Sequence, residues 1–491
     1  MGKHIHILAV CGTAMAAIAA LAKSQGWAVT GSDTGVYPPM SDYLTDLGIA
    51  IAPFDVANLE SPPDLCIIGN AMSRGNVEVE AILDRGLAYC SGPQFVGDHI
   101  LPNRHAVVVA GTHGKTTTSS LLAYVLEVAG ADPGFLIGGV PEDFSGGARL
   151  GSGDAFVLEG DEYDTAFFDK RSKFLHYHAR TLILNNLEYD HADIFPDLEA
   201  IKSQFHHLVR TVPASGTIIA NADESHISDV LNRGCWTPVI TFSRYGNEQS
   251  EWQWEVMAED GSAFRLYRHN EMVIETEWDM IGVHNVANAC AVAAAATSLA
   301  VGIDAIADAF TSFSGIRRRM TLVGESGGIK VFDDFAHHPT AISGMVSAVK
   351  ASMLRNGCEG KLWVVVEPRS NTMRTRIHQD RLPGCFNCAD EVVFLQPSCR
   401  NLQPEQVLDA NAVCEAINCN ATGTHACVLA DTFAIIDYIC QQIRTGDEVL
   451  ILSNGGFDGI HHRLLDALTP EDKSFDDSSM GHDFQDSCNK V

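Results

Sequence analysis

Basic residues are scarce in this chain: 33 lysines and arginines stand against 62 acidic residues, a formal charge of −29. A surface of that sign repels phosphate backbones and anionic lipid, so neither nucleic acid nor a membrane is expected as a partner. No uninterrupted apolar run is long enough to cross a bilayer. Residues 5–22, preceded by Lys3, come nearest to a leader, but His6, Gly12 and Thr13 break the run, and Gly26, Val29 and Asp33 extend it as turn and strand. A cytoplasmic protein is the expectation. The 14 cysteines have no fixed spacing, and Cys385 and Cys388 form a CxxC without a second pair. A disulfide framework and a structural zinc site are therefore not expected. Low-complexity tracts and internal repeats are also missing.

What the chain does contain is alternation. Its 491 residues suggest about three domains. Near the start come a short apolar strand (4–10), the turn Cys11-Gly12-Thr13, a helix of small residues (14–23) and further strands at 27–30 and 65–69. Strands and helices in alternation imply a parallel sheet covered on both faces. Gly12 stands where such folds bring a phosphate to backbone amides and a helix N-terminus. The stretch Gly12-Thr-Ala-Met15 lacks the full GxGxxG pattern, so a ligand-free turn stays equally open.

A polar break at 101–105 separates this unit from a second, 106–316, with strands expected at 107–110, 155–158, 182–184 and 218–220. Residues 250–280 alternate polar and apolar, as an antiparallel excursion would. A third unit, 317–470, has strands expected at 329–332, 362–366, 392–395 and 449–452. The acidic residues 471–491 are expected to be disordered. The expected fold class is α/β, in three domains: 1–105, 106–316 and 317–470.

The sharpest local signal is Val107-Val-Val-Ala-Gly-Thr-His-Gly-Lys-Thr-Thr-Thr118, a strand feeding a glycine turn and then a helix. Backbone N–H groups and the helix dipole in such a loop face phosphates. Lys115 would reach the β/γ-phosphates and the Thr116 hydroxyl would ligate Mg²⁺. The match is to the short form GTxGKT. Three further clusters make sense beside a triphosphate: Glu159 with Asp161 and Glu162 at a strand end, Asn185 with Glu188, Asp190 and His191 at another, and Arg317-Arg318-Arg319. Arg369 and Asn371 follow the apolar strand 362–366 at its C-terminal end, where open α/β sheets present ligand-binding residues. A guanidinium fork there suits a carboxylate.

Taken together, the chain resembles the Mur ligase family, the ATP-dependent enzymes that build the peptide of peptidoglycan. The stretches that carry the likeness include Gly111-Thr-His-Gly-Lys-Thr-Thr117, Leu158-Glu-Gly-Asp-Glu162 and Asn185-Asn-Leu-Glu-Tyr-Asp-His191. It continues through Gly282-Val-His-Asn-Val-Ala-Asn288, Arg318-Arg319 and Asp333-Asp-Phe-Ala-His-His-Pro339. The resemblance implies a Rossmann-like UDP-sugar domain, a P-loop ATPase domain and a Rossmann-like peptide domain, with ATP and Mg²⁺ as cofactors. Within the family it points to the branch that joins L-alanyl-γ-D-glutamyl-meso-diaminopimelate to UDP-N-acetylmuramate in peptidoglycan recycling. That choice rests on Val36-Tyr-Pro-Pro-Met40, Ile68-Gly-Asn-Ala-Met72, Phe167-Phe-Asp-Lys-Arg-Ser-Lys173, Glu367-Pro-Arg-Ser-Asn-Thr-Met373 and Ser453-Asn-Gly-Gly-Phe457. A branch that adds L-alanine instead is the nearest alternative, a regulatory P-loop ATPase the next, and a dinucleotide dehydrogenase the weakest.

By the same likeness Gly111, Thr112, His113, Gly114, Lys115, Thr116 and Thr117 hold the nucleotide phosphates. Asn288 meets the adenine, Asp334 the ribose, and Arg319 the phosphates. Thr116, Glu159 and His191 ligate the metal, while Lys115, His191 and Arg319 carry the chemistry. Gly12, Thr13, Ser32, Asp33 and Asn70 are candidates for the UDP-sugar, and Arg369 and Asn371 for the peptide. Phe335 stands where relatives carry Tyr, so no hydroxyl contact is expected there.

Overall fold

The computed structural model describes residues 3–38 and 40–469; the tail expected to be disordered lies outside them. Three large sheets follow one another along the chain. The first has five parallel strands in the order Ala50–Ala52, Ala28–Ser32, His4–Leu8, Leu65–Ile68, Tyr89–Ser91. The order reverses beside His4–Leu8, and a parallel sheet opens a crevice at the C-terminal ends of the strands where that happens. Gly12 and Asn70 come just after the two strands that flank the reversal.

The second sheet has ten strands, with the buried strand His105–Ala110 between Thr181–Leu184 and Ala155–Gly160, all three parallel. Residues 250–280 form the expected excursion: Trp252–Val256, Ala263–Arg268 and Glu271–Glu277 pair antiparallel. Trp252, Trp254, Phe264, Leu266 and Ile274 turn inward from it, which is the period of two read from the sequence. The third sheet runs Thr321–Ser326, Ile329–Asp334, Glu448–Leu452, Leu362–Val366, Glu391–Leu395, His425–Leu429, with only its first pair antiparallel.

The two seams between these units differ in chemistry. Phe95, Val96 and Ile100 of the first unit share one apolar cluster with Phe156, Phe174 and Tyr177 of the second. A two-stranded hairpin, Asp164–Ala166 and Asp169–Ser172, leaves the second unit and packs its tip, Phe167 and Phe168, against Leu59, Cys66 and Ile82 of the first. The seam to the third unit is bridged by polar contacts, among them Asn371 to Asp193 at 2.9 Å and the Ala192 N–H to the Thr372 hydroxyl at 3.3 Å. The connection passes through Gly315, Arg318 and Met320, all at positive φ. Arg318 is held in that strained region because its N–H donates to the Thr321 hydroxyl at 2.8 Å and its guanidinium to Asp333 at 2.9 Å.

Candidate active site

The strand His105–Ala110 delivers the phosphate loop to the middle of the second sheet, and helix Lys115–Val128 leaves it. Gly114 has φ 75°, and a Cβ there would lie 2.8 Å from the Asn288 side-chain oxygen, so only glycine fits. Lys115 Nζ donates to the Gly111 carbonyl at 2.7 Å and to Glu162 at 2.8 Å. Thr116 Oγ1 donates to Glu159 at 2.9 Å, and the other Glu159 oxygen accepts the Gly138 N–H at 2.7 Å. Arg319, from the edge of the third unit, reaches the same Thr116 hydroxyl at 3.5 Å.

Behind the loop, Asp161, Glu162 and His191 each bring one donor atom within 4.8 Å of the others. His191 Nε2 is 3.0 Å from Glu162, and Lys173 Nζ donates to Asp161 at 2.7 Å. Burial alone would raise the carboxyls of Asp161 and Glu162, but Lys173, Lys115 and His191 outweigh it and hold both below the usual range. Burial alone would lower the Lys115 and His191 pKa values, and nearby carboxylates reverse that sign, Glu162 with Asp161 for Lys115 and Glu162 with Asp190 for His191. Carboxylate and hydroxyl oxygens of this kind are the hard donors that Mg²⁺ takes; of the expected ligands Thr116 and Glu159 are bonded to each other at the loop, while His191 pairs with Glu162.

The remaining nucleotide candidates gather around the same loop. Asn288, 6% exposed, accepts from Asn185 at 3.2 Å and lies directly under Gly114. The Thr112 hydroxyl accepts the Glu188 N–H at 2.8 Å, and the His113 N–H donates to Asn186 at 2.7 Å. Thr117 is buried in the first turn of the helix. Asp334 differs from expectation: it is 1% exposed and its oxygens accept the Met320 and Ala336 N–H groups, each at 2.8 Å. Those bonds set the entry to the third unit, and burial raises the carboxyl. Phe335 carries the Arg319 and Arg318 guanidinium groups over its ring at 4.9 and 5.5 Å, a stacking role in place of a hydroxyl contact.

Family models match the chain in three consecutive blocks: a Mur ligase family catalytic domain over 4–104, a Mur ligase middle domain over 109–296 and a Mur ligase glutamate ligase domain over 318–455. The chain is 45% identical to the UDP-N-acetylmuramate–L-alanyl-γ-D-glutamyl-meso-2,6-diaminoheptandioate ligase of Haemophilus influenzae, covering 95% of this chain and 99% of the relative. The Escherichia coli ligase of the same name is 46% identical over 94% of this chain and 98% of its own. A crystal structure of a murein peptide ligase from Psychrobacter arcticus matches with 44% identity and a TM-score of 0.71, over 95% of this chain and 99% of that one. The chain belongs to the Mur ligase family.

In this Mur ligase the UDP-sugar candidates divide. Gly12 caps helix Thr13–Ser24 in an extended conformation, and Gly12, Thr13 and Asn70 are exposed at the crevice. Asp33 accepts the Cys11 and Gly35 N–H groups at 2.9 and 2.8 Å and so shapes the turn around it. Ser32 is a correction. It is fully buried, and its hydroxyl donates to the equally buried Glu78 at 2.5 Å, so it braces the sheet from within. Of the peptide candidates, Arg369 is exposed and lies across the backbone of Gly455, while Asn371 joins Asp193 to Arg374.

Two features of this Mur ligase escaped sequence reasoning. Glu188 was read only as part of an acidic cluster. Its carboxylate in fact joins the phosphate loop to the third unit, through His113 at 3.4 Å, Thr340 at 2.9 Å and Arg381 at 3.1 Å. Lys173 lies in one of the stretches that carry the likeness, and its residue type alone assigns it no role. The signal for it was a third cation in Lys170-Arg171-Ser-Lys173, set two positions from the second.

Proposed function

We propose that the chain joins the amine of L-alanyl-γ-D-glutamyl-meso-diaminopimelate to the lactyl carboxylate of UDP-N-acetylmuramate, with cleavage of ATP to ADP and phosphate. The observation that carries the reading is the match, nearly end to end in both proteins, to ligases named for those substrates. As a Mur ligase the protein is an ATP-dependent ligase that forms an amide. We assign UDP-sugar binding to 1–105, ATP binding to 106–316 and peptide binding to 317–470, and place the reaction in the cytoplasm, where ATP and UDP-sugars are made. No helix of the described residues is long and apolar enough to cross a membrane.

The chemistry needs charge offset at the γ-phosphate and exclusion of water. Lys115 leaves Glu162 for the phosphates, and Arg319 approaches from the third unit, so two cations face the transferring group. Mg²⁺, bound by Thr116, Glu159 and His191, would add Lewis-acid charge at the phosphate oxygens. A carboxylate oxygen bonds to γ-phosphorus as ADP leaves, giving an acyl phosphate. The peptide amine then bonds to the acyl carbon, and phosphate departs with the electron pair of the C–O bond and takes up the proton that the amine gives up. Arg369 grips a carboxylate of the peptide. Closure of the third unit keeps water from the acyl phosphate.

Phosphate release from ATP with UDP-N-acetylmuramate, offered the tripeptide or L-alanine, tests the reading. Release that depends on the tripeptide is expected. Release that responds to L-alanine alone would move the chain to the other branch.

A further inference from the structure

Three cations lie within four residues of the hairpin, and they do different things. Lys170 pairs with Asp164 at 2.7 Å and Arg171 with Asp169 at 2.8 Å, both with side chains more than 60% exposed at 68% and 63%. Each neutralises the hairpin that carries it. Lys173 turns inward: its side chain is 24% exposed, its Nζ sits 2.7 Å from Asp161 and 5.6 Å from the Tyr163 ring centre. Its N–H donates to the Tyr163 carbonyl at 2.9 Å, which fixes the stem on the catalytic side.

The surroundings locate this ammonium along the substrate's path. The hairpin tip packs against the first unit through the half-buried Phe167 and Phe168. The short helix Lys173–His176 abuts the first unit as well, since a Cβ on Gly97 would fall 2.1 Å from the His176 carbonyl oxygen. Lys173 is therefore bonded to Asp161, beside the Glu162 that pairs with Lys115, on a segment whose two ends pack against the first unit. A substrate carboxylate entering that site adds a further negative charge beside Asp161, Glu162 and the triphosphate, and a cation at contact distance offsets that repulsion. Lys115 and Arg319 belong, on the substrate reading above, to the phosphates.

We propose that Lys173 receives the carboxylate of the UDP-sugar acid and holds it against the γ-phosphate of ATP. The proposal rests on the substrate reading above. One carboxylate oxygen forms the bond to γ-phosphorus while the bond from γ-phosphorus to the β–γ bridging oxygen breaks, and ADP takes the electron pair. No proton moves. The ammonium exchanges Asp161 for the oxygen that does not attack.

The test compares K173M, K173R and K170M with the wild-type protein. UDP-N-acetylmuramate binding is measured by calorimetry with Mg²⁺ and a non-hydrolysable ATP analogue, alongside kcat and each KM. K173M should weaken sugar binding by about tenfold or more and lower kcat on the order of 100-fold. Its nucleotide affinity should stay within about twofold of wild type. K173R should recover most of the sugar affinity, and K170M should match wild type. Wild-type sugar affinity in K173M, with only a lower Tm, overturns the proposal and leaves the substrate reading intact. If K173M does not fold, D161N/K173M against D161N decides: the same loss supports the role and equal affinity refutes it. A wild-type protein that releases no phosphate with UDP-N-acetylmuramate and tripeptide removes the substrate reading, and the role of Lys173 with it.

Discussion

The Glu188 carboxylate accepts the Thr340 hydroxyl at 2.9 Å, so a residue bonded to the phosphate loop and the first turn of helix Pro339–Arg355 share one oxygen. The Glu188 N–H is at the same time tied to Thr112. Burial pushes this carboxyl up, but bonds from His113 and Thr340 and the nearby His338 bring it well below the usual range, so it is an anion at working pH. The phosphate loop and the position of the third unit are thereby linked through one side chain. Glu188→Ala should loosen that link by about 1.5–3 kcal/mol, the usual worth of a hydrogen bond to a charged group. Water then reaches the acyl phosphate, and more phosphate is released than amide formed. Counting both products checks this. A ratio unchanged from wild type would mean that the contact only decorates the seam.

Lys115→Ala removes the cation that the loop presents to the phosphates. The expected loss in kcat/KM corresponds to about 3–4 kcal/mol of transition-state stabilisation. Near-normal turnover would sink the loop assignment.

Arg369 and Gly455 make a paired test. Arg369→Lys keeps the charge and loses the fork, so it should raise KM for the tripeptide while leaving KM for UDP-N-acetylmuramate nearly unchanged. A Cβ on Gly455 would fall 1.5 Å from the Arg369 guanidinium, so Gly455→Ala should displace that group and give the same pattern. If both variants lower Tm and leave both KM values alone, Arg369 only closes the strand-end loop.

Glu78 links stability to pH. Burial pushes its carboxyl up, and donors from His6, Ser32, Asn58 and the Asp55 N–H outweigh that and hold it below the ordinary value. A carboxyl lowered on folding contributes stability above its unfolded pKa, about 4.3, and loses that contribution as pH falls through the folded value. Glu78→Gln should therefore cost about 1–3 kcal/mol near pH 7 and progressively less below about pH 4. Urea unfolding of both proteins across that range reads the difference. A gap that stays constant with pH would show that shape, and not charge, is what the site needs.

Legibility followed locality. The phosphate loop was readable because strand, turn and helix are contiguous from 107 to 128, and the antiparallel excursion because period-two burial is written in Trp252, Trp254, Phe264 and Leu266. Ser32 was misjudged because its partner, Glu78, lies 46 residues away, where no spacing rule reaches. Asp334 was misread for a related reason: its acceptor positions are used by backbone groups on either side of it, which side-chain chemistry does not announce. The hairpin strand Asp169–Ser172 was not anticipated, since Asp-Lys-Arg-Ser has no apolar alternation and exists as a strand through its pairing with Asp164–Ala166.

The two phenylalanines at the tip of that hairpin also change what a division at 105 means. In the chain the first unit stops there, yet part of its apolar interior is supplied from sixty residues further on by Phe167 and Phe168. Severed at the linker, the first piece would show a bare hollow around Leu59, Cys66 and Ile82, and the second a sticky finger with nothing to hold. The first two units thus complete one another's apolar surface, whereas the third is tied to the second by bonds such as Asn371 to Asp193 and Arg381 to Glu188.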